Sequence, residues 1–92
     1  MPLTETEIST RLPSVPSWNV ESGELTRTFA FKDFNGSLAF VNAAGALAEK
    51  AGHHPDIDIR YNRVRLALVT HDAGGLTAKD FDLAAAINTL KS

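Results

Sequence analysis

Apolar residues recur at helical spacing in one long segment of the chain. Asp33, a residue type that often caps helices, precedes a stripe of apolar side chains spaced three or four positions apart. The stripe consists of Phe34, Leu38, Val41, Ala44, Leu47, Ala48 and Ala51. Gly52 and Pro55 follow, and both are typical of a helix end. The pattern predicts a long helix over residues 34–51 whose stripe faces the core.

Apolar and polar residues alternate in the segments on both sides of this helix. Residues 25–32 predict a strand, although Arg27 falls on the side of the phenylalanines. Residues 57–68 alternate in the same way on both sides of Asn62-Arg63. The second segment therefore predicts a hairpin that has one buried face and a tight turn at Asn62-Arg63.

Two shorter helices are predicted near the ends of the chain. Each starts with a threonine followed three positions later by an acidic residue, which is the pattern of a capping box. The pairs are Thr4 with Glu7 and Thr77 with Asp80. Pro13 ends the first helix. The inward side of the last helix is expected to consist of Phe81, Ala84, Ile87 and Leu90.

The order of elements is helix, strand, strand, helix, strand, strand, helix, with the first strand in the extended chain after Trp18. Helices separated by hairpins do not build an all-parallel sheet. The sequence therefore predicts an α+β fold, in which a four-stranded antiparallel sheet has its helices packed on one face. We expect a single domain over residues 1–92, and the open face and edges of its sheet favour a second subunit.

The composition excludes several classes of protein. A chain with 43% hydrophobic and 22% charged residues is typical of globular proteins. The lack of cysteine excludes disulfides and thiolate zinc sites, and a net charge of −2 argues against nucleic-acid binding. No apolar run reaches the roughly 18 residues of a membrane span, and the first residues, Met1-Pro2-Leu3-Thr4-Glu5, show neither the basic n-region nor the apolar h-region expected of a signal peptide. We therefore expect a cytoplasmic protein with no nucleic-acid or membrane partner.

All three histidines lie at the ends of predicted elements. His53 and His54 follow the long helix, and His71 follows the last strand. Imidazole gives or takes a proton near neutral pH, because its unperturbed pKa is about 6.5. The ends of rigid elements can direct such side chains into one cleft. The histidines are therefore candidates for acid–base catalysis.

Simpler interpretations of these residues remain open. A histidine after a helix often serves the helix dipole, Asp80 can act as a cap alone, and Glu49 as a solvated helix residue. A zinc site is disfavoured, since adjacent histidines direct their rings apart and H-E-x-x-H spacing is missing. Motifs for a serine nucleophile or a nucleotide cofactor are also missing.

Three stretches of the chain together resemble the pterin-4a-carbinolamine dehydratase family. They are Glu49-Lys50-Ala51-Gly52-His53-His54-Pro55, Tyr61-Asn62-Arg63-Val64, and Thr70-His71-Asp72-Ala73-Gly74-Gly75-Leu76-Thr77 followed by Asp80. The likeness extends from about Thr4 to Leu90. Its specific element is the His-His-Pro sequence spaced against the later Thr-His and Asp.

The resemblance implies an enzyme that removes water from a 4a-hydroxytetrahydropterin, such as 4a-hydroxytetrahydrobiopterin, and gives the quinonoid dihydropterin. This step recycles the pterin of aromatic amino acid hydroxylases, so a pterin-dependent hydroxylase is an implied partner. The family fold is α+β, and its members are homodimers or homotetramers. Neither a metal nor an organic cofactor is implied, because the ring nitrogen of the substrate supplies the electrons for the step.

The resemblance also implies roles for individual residues. His53 and His54 are candidate general acids, and His71 is the candidate base. Glu49 would orient His53 by a hydrogen bond. Pro55, Thr70 and Asp80 would support the site or contact the pterin. Two alternatives stay open, namely a non-catalytic protein-interaction or coactivator role, and a dehydratase-like activity in molybdenum-cofactor pterin metabolism.

Overall fold

The computed structural model describes residues 1–90, and over this range the helices and strands follow the expected order. The helices are α1 (Glu5–Arg11), α2 (Phe34–Ala51) and α3 (Ala78–Asn88). The strands are β1 (Asn19–Glu21), β2 (Glu24–Ala30), β3 (Asp56–Arg60) and β4 (Arg63–Leu68). Short 3₁₀ turns occupy Leu12–Ser14 and His71–Ala73. Lys91 and Ser92 of the expected domain lie outside the described residues.

The four strands form one antiparallel sheet in the order β1-β2-β4-β3. One face carries the apolar residues of the two central strands, where Leu25 pairs with Leu68 and Phe29 with Val64. These four residues belong to the same core cluster as buried residues of α2 and α3. The opposite face carries exposed residues such as Arg65. The predicted α+β fold with helices on one face of a four-stranded sheet is therefore confirmed.

Local capping signals in the sequence correctly mark the starts of the helices. Thr4 and Glu7 form the predicted capping box of α1, and Thr77 and Asp80 form that of α3. Asp33 caps α2 by accepting a hydrogen bond from the backbone N–H of Gly36 at 2.9 Å. Each cap satisfies a backbone donor that has no partner inside its helix. None of the helices within residues 1–90 combines the length and apolar character needed to cross a bilayer.

The predicted inward stripe of α2 is partly wrong. Phe34 and Leu38 are 45% and 39% exposed, and the buried residues are Ser37, Phe40, Ala44 and Ala48. The ring of Phe40 lies 4.4 Å from that of Phe29 between centroids, which sets the rotation of the helix about its axis. Ser37 can also face the core, because its hydroxyl donates a hydrogen bond to the carbonyl of Tyr61 at 2.7 Å.

The hairpin turn lies one residue earlier than predicted. Arg60 pairs with Arg63, so the turn consists of Tyr61 and Asn62 rather than Asn62 and Arg63. Asn62 holds the turn against the end of β2, donating from its side chain to the carbonyl of Phe31 at 3.1 Å. Tyr61 is consequently exposed in the turn, instead of continuing the buried face of the strand.

Asn88 connects the end of α3 to the opening segment of the chain. Its Oδ1 accepts hydrogen bonds from Trp18 Nε1 at 2.7 Å and from Arg27 Nη1 at 2.6 Å. Its Nδ2 donates to the carbonyl of Pro16 at 3.1 Å. The guanidinium of Arg27 also lies 4.2 Å from the ring centroid of Phe29. These contacts explain why an arginine occupies the apolar side of β2.

We expect Asn88→Ala to lower the free energy of unfolding by about 1–3 kcal/mol, because the buried indole N–H of Trp18 loses its acceptor. Urea denaturation followed by tryptophan fluorescence measures this change. The matched control is Asn42→Ala on the exposed side of α2, which should change the same quantity by no more than about 0.5 kcal/mol. Equal effects of the two substitutions would contradict a stabilising role for Asn88.

Candidate active site

All three histidines line one open cleft at the end of the sheet where α2 and β4 terminate. The cleft has a volume of about 330 Å³, which lies within the range of small-molecule sites. Polar and charged side chains dominate its walls, and these are His53, His54, Thr70, His71, Asp72 and Lys79. The structure thus brings together the three imidazoles that the sequence separates by up to 18 positions.

The end of α2 directs His53 and His54 toward the cleft. Gly52 adopts the left-handed conformation with φ of 64°, which costs a glycine little. The N–H groups of Gly52 and His53 donate to the carbonyls of Glu49 and Ala48, each at 3.1 Å. This pattern is typical of a Schellman motif, which reverses the chain after the last helical turn. These hydrogen bonds therefore fix the direction of the backbone that carries the two histidines.

A tight loop after β4 places His71 and Asp72 on the other wall. The N–H of Thr70 donates to the carbonyl of Gly75 at 3.1 Å, and the N–H of Gly75 donates back at 3.3 Å. Gly74 closes the loop with φ of 76°. Thr70, predicted as a supporting residue, lines the cleft, whereas the half-buried Pro55 is not among the cleft-lining residues.

The carboxylate of Asp80 is fully buried behind the cleft and joins three parts of the chain. Its Oδ2 accepts from the backbone N–H of Thr77 and from the hydroxyl of Thr70, both at 2.9 Å. Its Oδ1 lies 2.5 Å from Nε2 of His53. A buried carboxylate requires such partners, because transferring an unpaired charge from water is costly. Asp80 is therefore both the helix cap and the partner of a cleft histidine.

The pairing with Asp80 selects which ring nitrogen of His53 faces a hydrogen-bond acceptor. An ionised carboxylate can only accept hydrogen bonds, so Nε2 of His53 carries a proton. Nδ1 is then the ring nitrogen that can exchange a proton with a ligand. The side chain of His53 is only 13% exposed, so packing as well as hydrogen bonding limits its rotation. This arrangement orients an acid–base group as a carboxylate–histidine pair does in hydrolases.

The prediction for Glu49 names the wrong histidine as its partner. Glu49 was expected to orient His53, but its Oε1 lies 2.6 Å from Nε2 of His54. The reason is the chain reversal at Gly52, which turns His53 inward toward α3 and leaves His54 beside the outer surface of α2. The two side chains of this second pair are 78% and 62% exposed, for Glu49 and His54 respectively. Within residues 1–90, His71 forms no ion pair with a carboxylate.

Two cleft residues were not selected from the sequence. Asp72 and Lys79 both line the cleft, and each directly adjoins a predicted site residue, His71 or Asp80. For Lys79 this adjacency is the sequence signal, and Asp72 also lies inside the Thr70–Thr77 stretch that carries the family resemblance. No group of three or more histidine, aspartate or glutamate side chains within residues 1–90 converges as metal ligands would. The cleft-lining His53, His54, His71, Asp72 and Lys79 carry titratable side chains, and groups of this kind can give or take protons.

We expect Asp80→Asn to lower the free energy of unfolding by about 3 kcal/mol, because three donors then face an amide with one acceptor oxygen. Asp82→Asn, an exposed change in the same helix, should cost less than about 0.5 kcal/mol. Chemical denaturation of both variants checks this expectation. An Asp80→Asn protein as stable as the Asp82→Asn control would show that the network does not stabilise the fold.

Similar sequences cover almost the whole chain. A protein of Acidobacterium capsulatum, provisionally named as a pterin-4-alpha-carbinolamine dehydratase, is 61% identical over 96% of both chains. A protein of Chloroflexus aurantiacus with the same provisional name is 60% identical over 96% of this chain and 95% of its own.

Solved structures share the fold. A transcriptional coactivator/pterin dehydratase from Brucella melitensis superposes with a TM-score of 0.91 at 36% identity, covering 97% of both chains. A pterin dehydratase-like protein described as a RuBisCO assembly factor in the alpha-carboxysome gives 0.68 at 26% identity, covering 83% of this chain and 90% of that one. The family model for pterin 4 alpha carbinolamine dehydratase matches residues 1–90. On the strength of this match and of these relatives, the chain belongs to the pterin-4a-carbinolamine dehydratase family.

Proposed function

We propose that the protein dehydrates a 4a-hydroxytetrahydropterin, such as 4a-hydroxytetrahydrobiopterin, to the quinonoid dihydropterin. The observation that carries this proposal is the convergence of His53, His54 and His71 on one cleft in a chain of this family. A reaction that moves two protons on one ring needs an acid and a base beside the same ligand, and imidazoles supply both near neutral pH.

The proposed reaction balances without an added oxidant or reductant. The C4a–O bond breaks, and its electron pair leaves with the oxygen, which takes a proton from a general acid and departs as water. The lone pair of N5 forms the C4a=N5 double bond, and the proton of N5 passes to a general base. Exchange of protons with solvent then restores the acid and the base. The step therefore requires positioning and proton transfer, and no organic cofactor or metal takes part in it.

The histidines take different roles in this proposal. His53 and His54 act as general acids, and each has a carboxylate, Asp80 or Glu49, that orients the ring and balances the charge of its protonated form. His71, which pairs with no carboxylate within residues 1–90, acts as the base. Thr70 supports His53 indirectly, through its hydrogen bond to Asp80.

A second candidate function is a protein-interaction role for the same fold. The observation in its favour is that one structural neighbour is described as a coactivator/dehydratase and another as a RuBisCO assembly factor. In that case the histidine cleft would not turn over a pterin. A third candidate keeps the cleft active but on a pterin of molybdenum-cofactor metabolism, and turnover measured across several pterins distinguishes it from the first.

We expect His53→Gln, His54→Gln and His71→Gln each to lower kcat/KM for 4a-hydroxytetrahydropterin by about 100-fold or more, because glutamine cannot transfer the proton. Stopped-flow absorbance, corrected for spontaneous dehydration, measures the rate. Arg60→Gln, on the exposed β3 strand, is the control and should keep the wild-type value. Wild-type rates in all three histidine variants would refute the enzymatic proposal and favour the interaction role.

The proposal also includes the assembly and setting of the protein. We expect a cytoplasmic homodimer or homotetramer whose substrate is released by a pterin-dependent hydroxylase. Support comes from exposed apolar side chains on α2, β3 and the adjoining turn, which a second copy of the chain could cover. These side chains are Phe34, Leu38, Ile57 and Tyr61.

Light scattering coupled to size-exclusion chromatography should therefore give a mass two or four times that of the 92-residue chain. Burial of the exposed apolar side chains between copies is the physical reason for this expectation. A concentration-independent mass of one chain would refute the oligomer.

A further inference from the structure

Thr77 belongs to one of two capping boxes that have the same local chemistry but different surroundings. At the start of α1 the hydroxyl of Thr4 accepts a hydrogen bond from the backbone N–H of Glu7 at 3.2 Å, at an exposed position. At the start of α3 the hydroxyl of Thr77 accepts from the backbone N–H of Lys79 at 3.3 Å. It also lies 2.7 Å from the hydroxyl of Thr70, a contact that helix capping does not require.

The direction of the hydrogen bond between the two threonines follows from their other partners. Thr70 has one hydroxyl proton and donates it to Oδ2 of Asp80 at 2.9 Å, because an ionised carboxylate can only accept. Toward Thr77 the oxygen of Thr70 is therefore the acceptor, and the hydroxyl of Thr77 is the donor. One directed chain of hydrogen bonds thus starts at Thr77, passes through Thr70 and ends at the carboxylate that pairs with His53.

This chain of hydrogen bonds runs through a part of the protein that water reaches poorly. Asp80 has no exposed surface, and Thr70 and Thr77 are half-buried. Hydrogen bonds in such surroundings are stronger than in water, and a hydroxyl that accepts one hydrogen bond becomes a stronger donor in the next. Donation from Thr77 therefore strengthens the bond from Thr70 to Asp80. More of the carboxylate charge is then balanced by Thr70, and less by His53.

We infer that Thr77 is a positioning residue for His53 and that its hydroxyl limits how strongly the Asp80 carboxylate holds the imidazole. Without this hydroxyl, the bond between Asp80 and His53 should shorten, and the protonated ring should release its proton to a ligand less readily. Thr77 does not line the histidine cleft, so the chain of hydrogen bonds is its route to the reaction. The kinetic consequence rests on the proposed function, whereas the claim about the bond concerns the free protein.

Proton NMR of the imidazole Nε2–H of His53 tests this claim in the ligand-free protein. The resonance is identified by its loss in His53→Gln, and shortening of the hydrogen bond moves such a resonance downfield. Thr77→Val removes the hydroxyl, keeps the branched shape and should move the resonance downfield. Thr77→Ser keeps a hydroxyl and should restore the wild-type position. Thr4→Val removes the equivalent hydroxyl of α1 and should leave the resonance unchanged.

Thr77→Gly protects the test against misfolding of Thr77→Val. Glycine lacks the hydroxyl but costs a helix far less at the N-cap than valine does. The backbone of Thr77 is extended, with φ of −133° and ψ of 177°, and glycine adopts this conformation without strain. Thr4→Gly is the matched control. Circular dichroism identifies which variant folds, and the resonance is read from that variant.

Turnover of 4a-hydroxytetrahydropterin supplies a second readout. In Thr77→Val we expect kcat to fall about threefold, which is less than the factor of about five that one whole net hydrogen bond represents, because Thr70 keeps its own bond to Asp80. KM should stay at the wild-type value, since Thr77 does not line the histidine cleft. Thr77→Ser should restore kcat.

The outcomes separate this inference from the proposed function. A Nε2–H resonance that stays at the wild-type position in the Thr77 variant, or moves upfield, would overturn the inference and leave the dehydratase proposal standing. An equal displacement in the Thr4 control would do the same, because loss of a helix cap would then be the cause. An unchanged kcat beside a displaced resonance would also overturn it. Lack of turnover by the wild-type protein would refute the proposed function, and the resonance would still decide whether Thr77 acts on His53.

Discussion

The buried carboxylate of Asp80 is the interaction on which the rest of the site depends. A charge with no solvent exposure is tolerated only when donors surround it, and here they come from Thr77 at the start of α3, Thr70 after β4 and His53 after α2. The electrostatic requirement of one side chain thereby determines the relative position of three chain segments. The orientation of the His53 imidazole is consequently coupled to the stability of the fold.

The two adjacent histidines differ in how strongly burial and pairing hold their rings. His53 pairs with a carboxylate that water does not reach, whereas His54 pairs with the exposed Glu49. Exposed ion pairs contribute little to stability, because water screens them and ordering the side chains costs entropy. The fold therefore holds one imidazole rigidly and leaves its neighbour free to adapt to a ligand. The proposed dehydration, which exchanges protons at two positions of one ring, would gain from both properties.

His53 also lines a second cleft, which lies between α2 and α3 and shares Lys79 with the histidine cleft. The histidine cleft carries the polar side chains of His54, His71 and Asp72, whereas the second cleft combines leucine and alanine side chains of α2 and α3 with the charged Lys50 and Asp82. A small domain has few positions at which polar and apolar surfaces can adjoin without leaving polar groups unpaired. Here the buried hydrogen-bond network behind the ring meets this condition, since no buried side-chain polar atom within residues 1–90 lacks a partner.

The sequence by itself determined the features that depend on neighbours three or four positions away. The capping boxes at Thr4 and Thr77, the end of α2 at Gly52 and the alternation of the strands are local, so the α+β fold was predictable. The rotation of α2, the position of the hairpin turn, the partner of Glu49 and the inclusion of Lys79 in the cleft were decided by the tertiary structure alone. These features depend on packing between residues distant in the chain, where side-chain volume and direction select among partners that the local pattern leaves equivalent.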